Sequence, residues 1–308
     1  MKEFINKSHV EGYIFDHSLV KRESAKGVTY IGGILNVATD EDAMNVVPVH
    51  FIYVTETYSK SGKTNPNFGI LDKIIEDGNT YSVNGKEAQK VRIDGDLGVN
   101  DFVTKDGEMV SAQRIVGKFI HTMNATDNIL DNASTFEADM LITSYVEKEV
   151  EDGDDYGQVE GYAFGYQGRL VPITLSIRNT DGMKYFEDQD ISKANPFCTR
   201  VWGNVVSNTI TKESTVESAF GAPQVTVTTR TFRSWDIDGC GAEPYIWDDE
   251  SFITKDELKK CLADREEQLA DVRKRNEEYR NSQAGKSGFP TEAKSEKKAA
   301  PADDEFPF

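Results

Sequence analysis

Apolar and polar residues alternate over much of the first 240 positions of the chain. The clearest stretches are VTYIGGILNVA (28–38), NVVPVHFIYV (45–54), TRVWGNVV (199–206) and QVTVTTRTFRSW (224–235). They are rich in β-branched and aromatic residues and are bounded by Gly, Asn and Asp, as strands commonly are. Because a period of two is typical of strands that bury one face, the pattern predicts a mainly β chain.

Three segments of the first half return in the second half in the same order. The matches are VEGYIF (10–15) with VEGYAF (159–164), GVTYIGGILNVATD (27–40) with GRLVPITLSIRNTD (168–181), and VPVHFIYV (47–54) with CTRVWGNVV (198–206). Three ordered matches indicate duplication of one module. We therefore expect module one over residues 1–125 and module two over residues 126–250.

Each module has the elements of a small closed barrel. After the third strand of module one, residues 68–75 (FGILDKII) place apolar side chains at helical spacing. One helix between the third and fourth of five strands is the pattern of an OB-fold. Gly32 and Gly33 lie inside a strand pattern and predict the bulge or sharp bend that such a barrel needs. The sequence thus predicts two OB-fold-like barrels in tandem.

The end of the chain changes character after residue 250. Thr254 and Glu257 form a capping box, which predicts a C-terminal helix within residues 251–280. A narrow apolar stripe follows it, formed by Leu258, Leu262, Leu269 and Val272. We expect this stripe to pack on the protein's own body, with weak self-association as the alternative. Residues 281–308 are rich in Ser, Ala, Lys, Gly and Pro and predict a disordered tail.

The net charge of the chain is unfavourable for binding to nucleic acid. The formal net charge is −18, and about −17 of it lies on residues 1–254. A polyanion such as nucleic acid is repelled by that sign unless the Lys and Arg residues gather on one face. The charge therefore favours an alternative, an acidic protein-binding adaptor or a DNA mimic.

Several other classes find no support in the sequence. No apolar run is long enough for a membrane span and no signal peptide precedes the first strand, so we expect a cytoplasmic protein. Cys198, Cys240 and Cys261 are widely spaced, which is poor material for a zinc site. Residues 61–64 (SGKT) imitate a phosphate loop, but Thr57 stands where its first Gly is required. We expect no enzyme, no cofactor and no metal.

Binding of single-stranded nucleic acid without sequence preference requires rings that stack on bases and cations that follow the phosphates. The candidates in module one are Tyr30, Phe51, Tyr53, Tyr58, Lys60 and Lys63. The candidates in module two are Arg200, Trp202, Arg230, Arg233 and Trp235. Arg233 and Trp235 share one face of their strand and would form a stacking and phosphate-binding pair. For each ring, burial in the barrel core is an equal alternative.

The chain closes on an acidic run and an aromatic tip: Asp303, Asp304, Glu305, Phe306, Pro307 and Phe308. This ending resembles the acidic tip of bacterial and bacteriophage single-stranded DNA-binding proteins (SSBs), which end in two or three Asp, an aliphatic residue, Pro and Phe. Glu305 and Phe306 are substitutions of like chemistry. The order of strands and helix also resembles the SSB core, over roughly residues 8–125 and 135–250.

The resemblance implies a single-stranded DNA-binding protein, similar to a phage-encoded version with tandem OB-folds. Such a protein coats single-stranded DNA during replication, recombination and repair, in the host cytoplasm if it is phage-encoded. Its tip would recruit partner enzymes, with the Phe308 ring in an apolar pocket and the acidic residues adding charge attraction. The acidic adaptor and a β-rich virion structural protein are the alternatives.

Overall fold

A computed structural model gives the fold of residues 3–150, 155–216 and 224–284, with residues 208–216 and 224–231 described by their backbone alone. These ranges form eleven strands: β1 (Asn6–His17), β2 (Val20–Glu23), β3 (Thr29–Ala38), β4 (Val46–Thr55), β5 (Lys90–Val103), β6 (Met109–Thr122), β7 (Ser134–Lys148), β8 (Tyr156–Phe164), β9 (Leu170–Ile177), β10 (Phe197–Val216) and β11 (Gln224–Cys240). The helices in the same ranges are α1 (Pro66–Asp77), α2 (Tyr81–Asn84), α3 (Thr180–Glu187) and α4 (Lys255–Ala284). None of these helices is long and apolar enough to cross a membrane.

Five strands of the first half close into a barrel, which we call barrel one. Around it β1 pairs with β3, β3 with β4, β4 with β6, β6 with β5, and β5 again with β1. All of these pairings are antiparallel except that of β4 with β6, which meet in parallel at Val49 and Ile115. Helix α1 follows the third of the five strands and buries Phe68 and Leu71 against the barrel. This connectivity is that of an OB-fold.

The second half repeats the arrangement as barrel two. Strands β7, β8, β9, β11 and β10 close in that order, and β9 meets β11 in parallel at Ser176 and Asp236. Helix α3 follows the third strand, as α1 does in barrel one. The predicted fold class, mainly β with two OB-fold-like barrels and a C-terminal helix, is confirmed. The domain boundaries at residues 125 and 250 stay predictions.

The matched sequence segments do not occupy equivalent strands. Residues 10–15 lie on β1, the first strand of barrel one, whereas residues 159–164 lie on β8, the second strand of barrel two. The glycine that both segments share instead allows the backbone of a neighbouring strand to approach closely. A Cβ on Gly12 would lie 1.9 Å from a backbone oxygen, and one on Gly161 would lie 2.3 Å from another. The predicted correspondence is therefore wrong by one strand, although the barrels share their connectivity.

The two barrels are joined along their first strands. β1 and β7 run antiparallel, with Asn6 opposite Ala138 and Val10 opposite Ser134. Strands β5 and β6 continue this sheet on one side, and β10 and β11 continue it on the other. One sheet therefore runs through both barrels and fixes their relative orientation.

Two amide side chains of barrel one bind the backbone of barrel two. Asn45 accepts a hydrogen bond from the backbone N–H of Ser207 at 2.6 Å and donates one to the carbonyl of Val205 at 3.4 Å. Gln113 accepts from the N–H of Thr174 at 2.7 Å and donates to its carbonyl at 3.0 Å. Each amide thus uses both its donor and its acceptor, which sets the distance between the barrels at these positions.

Helix α4 begins at the predicted capping box. The N–H of Glu257 donates to Thr254 Oγ1 at 3.3 Å, and the N–H of Thr254 donates to the Glu257 carboxylate at 2.9 Å. Leu258 and Leu262 pack with Phe252 in an apolar cluster on the outside of barrel two. This half of the predicted stripe therefore contacts the protein's own body, as expected. The helix continues to Ala284, so the first four residues of the tail predicted over 281–308 are helical instead. The remaining residues of that tail, 285–308 with the tip, lie outside the described residues.

Candidate nucleic-acid interface

A β-bulge brings a tyrosine to the outer face of barrel one. Ile31 pairs with Val54 and Gly33 with Phe51, so that Gly32 alone lies opposite Ile52 and Tyr53. The extra residue reverses the alternation of β4. Phe51 and Val54 therefore pack into the core, and Tyr53 faces outward with 51% of its surface exposed. The bulge lies at the glycine pair for which the sequence predicted it.

Tyr53 shares this outer face with Tyr30 of β3. The centroids of the two rings are 4.4 Å apart and their planes are tilted by 35°. Arg22 on β2 lies directly opposite Tyr30, is exposed, and has no ion-pair partner among the described residues. The sequence analysis missed Arg22 because β2 is four residues long and fully exposed, so it has no apolar alternation. The two rings thus lie on the second and third strands of the barrel, with which OB-folds bind oligonucleotides, and a free guanidinium lies next to them on β2.

The turn after β4 adds the remaining candidates of module one. The N–H of Tyr58 donates to the carbonyl of Lys63 at 2.9 Å, and Gly62 adopts a left-handed conformation with φ of 63°. This closes a tight turn from which Tyr58, Lys60 and Lys63 extend into solvent. Neither lysine has an ion-pair partner within the described ranges. Tyr58 and the two lysines are therefore available to a ligand on this side of the barrel.

One candidate of module one is corrected. Phe51 is 1% exposed and belongs to the core of barrel one. Its ring fills the space next to Gly117, where a Cβ would lie 2.7 Å from two ring atoms. Phe51 has no free face for a base, and its role is to pack the barrel.

The long hairpin of β10 and β11, here called the ribbon, meets barrel one near its base. Between the ribbon and strands β4 and β6 lies a small cavity of about 70 Å³, the joint cleft. Its polar lining consists of His50, Gln113, Arg114, Ser207 and Arg233. Burial, and after it the two guanidiniums of Arg114 and Arg233, lower the pKa of His50 to about 4. The imidazole is therefore neutral at pH 7 beside two cations.

Arg114 is the cation of the cleft that has a buried donor atom without a partner. Its Nε is buried and has no hydrogen-bond partner among the side chains that the structure describes. Burial lowers the pKa of Arg114, against the opposing field of Asp101. Arg233 is exposed on the ribbon side of the cleft and has no ion pair in the described part of the chain. The cleft therefore contains positive charge that the described residues do not balance.

The other aromatic candidate at this position is partly buried. Trp235 is half-buried, packs against the core, and its ring centroid lies 6.2 Å from that of Phe136. Arg233 and Trp235 therefore do not form an exposed pair. The ring stabilises barrel two, whereas the guanidinium faces the joint cleft.

Two further candidates of module two lie elsewhere. Arg200 donates from Nε to Asp139 at 2.8 Å and from Nη2 to the Tyr245 hydroxyl at 3.1 Å, so its charge is already paired. Trp202 is 43% exposed, but it lines a different cavity of about 750 Å³, here called the trough. The charged and aromatic lining of the trough includes Lys7, His9, Asp94, Asp96, Lys118, Phe119, Glu137, Trp202 and Asp238. Four carboxylates make the trough a poor surface for a polyanion.

Barrel two carries an arginine–aromatic cluster that the sequence analysis did not find. The guanidinium of Arg178 lies 5.4 Å from the ring centroid of Tyr156 and 5.3 Å from that of Phe232, so it stacks between two rings. It also contacts Asp236 at 3.2 Å. Phe232 is 44% exposed. The candidate Arg230 belongs to β11, but its side chain lies outside the described part of the structure. Residues distant in sequence form this cluster, so no local motif signals it.

Comparison with known proteins gives a family. A family model named YorF matches residues 5–275, and no curated protein sequence matches the chain. Among solved structures, the chain is similar to the wild-type single-stranded DNA binding protein from Thermus aquaticus, with 10% identity, a TM-score of 0.45, and coverage of 80% of this chain and 95% of that one. A deletion mutant of the same protein gives 11% identity, a TM-score of 0.47, and coverage of 80% and 97%.

Proposed function

The chain belongs to the YorF family, and we propose that it binds single-stranded DNA along the outer face of β3 and β4. The observation that supports this most directly is the pair of Tyr30 and Tyr53. Their rings lie 4.4 Å apart at the surface, and the bulge in β4 is what exposes Tyr53. Stacking of bases on such rings tolerates every sequence because each base has an aromatic face.

The cations near these rings suit a phosphate backbone. Arg22, Lys60 and Lys63 are exposed and unpaired among the described residues. Flexible cations next to stacking rings are what a single-strand groove requires. The base of the ribbon, with Arg233, borders the same face. The path therefore runs from the turn after β4, over the two tyrosines, towards the joint cleft.

The distribution of acids answers part of the objection raised by the net charge of −18. Glu11 is fully buried and pairs with Arg92 at 2.9 Å, and Asp139 pairs with Arg200 at 2.8 Å. Further carboxylates line the trough, on strands other than β3 and β4. Segregation of charge in this way allows an acidic protein to bind a polyanion on one face.

We further propose a role in replication, recombination or repair, with the tip from Asp303 to Phe308 recruiting partner enzymes. The support for this role is the resemblance of the tip to the SSB ending. A Phe ring with the adjoining terminal carboxylate suits an apolar pocket bordered by a cation. Location in a host cytoplasm and phage origin are part of the same proposal.

A second candidate is an acidic adaptor or DNA mimic that binds only proteins. The net charge of −18 favours it. It requires no exposed stacking rings and no free cations next to them. The two candidates differ in one measurable property, which is affinity for single-stranded DNA at low salt.

The test is a titration of fluorescently labelled oligo-dT with the full-length protein over a series of NaCl concentrations. We expect saturable binding whose log Kd rises linearly with log salt, because phosphate contacts release counterions. Tyr53→Ala should weaken binding by roughly 1–3 kcal/mol. Phe119→Ala is the matched control, since Phe119 is equally exposed but lines the trough. No binding at low salt, with or without residues 285–308, would favour the adaptor.

A further inference from the structure

We propose that Arg114 and Arg233 together bind one phosphate of the nucleic acid strand in the joint cleft, so that the strand contacts both barrels at once. This inference rests on the proposed function and specifies one contact within it. Arg114 belongs to β6 of barrel one, and Arg233 belongs to β11 of barrel two. A phosphate between them would be a bridging ligand.

The size of the cleft fits a phosphate group. Its volume is about 70 Å³, whereas a water molecule occupies about 30 Å³ of the liquid. A compact polar group such as a phosphate can therefore enter.

The positive charge in the joint cleft favours the binding of an anion. Asp101 is the carboxylate whose field acts on Arg114, but its two oxygens are occupied by Arg265 at 2.5 and 2.6 Å. The buried Nε of Arg114 is left without a partner among the described side chains. A buried N–H without a partner is costly, and this cost is recovered when an anion accepts its hydrogen bond. Arginine forms two parallel hydrogen bonds to phosphate, which fixes the geometry of the contact.

The properties of His50 reflect the positive charge of the same two arginines. It lines the cleft with the two arginines, and burial followed by their fields lowers its pKa to about 4. A neutral imidazole in this position can donate a hydrogen bond to an anion. Because the imidazole is neutral, it adds no positive charge to the cleft when no anion is bound.

The cleft lies on the same outer face as the stacking rings. His50 precedes Tyr53 by three residues on β4, which corresponds to about 10 Å along a strand. Asn45 and Gln113 hydrogen-bond barrel two on this side of barrel one, at Ser207 and Thr174. The two arginines therefore belong to parts of the protein that are already held together before the ligand arrives.

The test compares the salt dependence of oligo-dT binding by Arg114→Met, Arg233→Met and the double variant, all in the full-length chain. Each lost phosphate contact lowers the slope of log K against log salt by about 0.7 for a single strand. If both arginines bind one phosphate, each single variant loses about 0.7 and the double variant loses no more than either. Arg273→Met, at an exposed arginine of α4, should keep the wild-type slope.

Two results would overturn the proposal while leaving DNA binding intact. One is a wild-type slope in both single variants. The other is a loss in the double variant equal to the sum of the two single losses, since that would assign the arginines to separate phosphates. Failure of the wild-type protein to bind oligo-dT would instead reject the proposed function and this contact with it.

Thermal unfolding separates a ligand-binding role from a structural one. Because Arg114→Met removes a buried Nε–H without a partner, the melting temperature of this variant should equal or exceed that of the wild type. A clearly lower melting temperature would mark Arg114 as a structural residue and count against the proposal. Arg233 is exposed, so its variant tests the slope independently of folding.

Discussion

Arg265 of α4 and Asp101 of β5 form a bidentate ion pair across a sequence separation of 164 residues. Nη1 lies 2.6 Å from Oδ2 and Nη2 lies 2.5 Å from Oδ1, and Arg265 also donates to Ser111 Oγ at 2.9 Å. Arg265 is only 8% exposed. Since Leu258 of the same helix packs on barrel two, α4 connects the two barrels.

Asp101→Asn should destabilise the protein strongly. It leaves the Arg265 guanidinium buried beside a neutral amide, and breaking a buried pair in this way costs about 3 kcal/mol. The measurement is urea unfolding followed by circular dichroism. Lys86→Met is the control, because Lys86 pairs with Glu41 in an exposed position, and its unfolding midpoint should stay at the wild-type value. Equal midpoints for both variants would contradict the role given to the Arg265 pair.

The same carboxyl group predicts an acid limit of stability. Burial raises the pKa of Asp101, but hydrogen bonds from Arg265 and Ser111 outweigh it, so the pKa lies below its ordinary value. A lowered folded-state pKa contributes stability above the unfolded pKa of about 3.9, and this contribution is lost as pH falls through the folded value. Unfolding at pH 3 should therefore be easier for the wild type than at pH 6, and Asp101→Asn should reduce the difference.

His50 predicts a second and milder pH effect. Its pKa is about 4 in the folded protein, against 6.5 for a free histidine. Between these values the unfolded chain binds more protons than the folded one, so stability falls as pH drops from 6.5 to 4, by up to about 3 kcal/mol. Arg114 and Arg233 are the charged groups that face it. His50→Gln should flatten this part of the profile.

Two glycines provide a matched pair of substitutions. A Cβ on Gly161 would lie 2.3 Å from the carbonyl oxygen of Leu141, so Gly161→Ala should destabilise barrel two by about 3 kcal/mol. Gly69 lies inside α1 with no atom near its added Cβ. Gly69→Ala should therefore stabilise the protein by up to about 1 kcal/mol, the helix propensity difference. Urea midpoints that shift in the same direction would refute this assignment.

The tip remains the most direct functional prediction from the sequence. Phe308→Ala in the full-length protein should abolish saturable binding to replication or repair enzymes that bind SSB tips, since the ring fills the pocket. Phe289→Ala, at another Phe of the same tail, is the control and should bind normally. Deletion of residues 285–308 should leave oligo-dT affinity unchanged or raise it, because an anionic tip competes with DNA for cations. Normal enzyme binding by Phe308→Ala would reduce the tail to a solubilising segment.

Strand alternation predicted the fold class because burial of one face leaves a period of two in the sequence. The same alternation could not separate Phe51 from Tyr53, since it places both on one face. The bulge opposite Gly32 moves one ring into the core and the other to the surface. The glycine pair in the sequence indicated the approximate position of the bulge. Which of the two strands contains the extra residue depends on the pairing of strands in the barrel.

The charged residues of the site were less predictable than its rings. Arg200 looked free in sequence, yet Asp139 binds it from another strand. Arg114 was not identified from the sequence, although its Nε has no partner among the described side chains and Arg265, 151 positions away, occupies the nearby Asp101. Such assignments depend on contacts between distant residues, and a single sequence contains no record of them.

The long sequence separation between Arg265 and Asp101 also determines when their ion pair can form during synthesis of the chain. All strands of barrel one lie within residues 6–122, so it can close while the rest of the chain is still being made. At 5–20 residues per second, Arg265 is synthesised roughly 10–30 s after Asp101. During that interval Asp101 lacks its partner on α4. Helix α4 is therefore the last of the described elements to pack against the two barrels during synthesis.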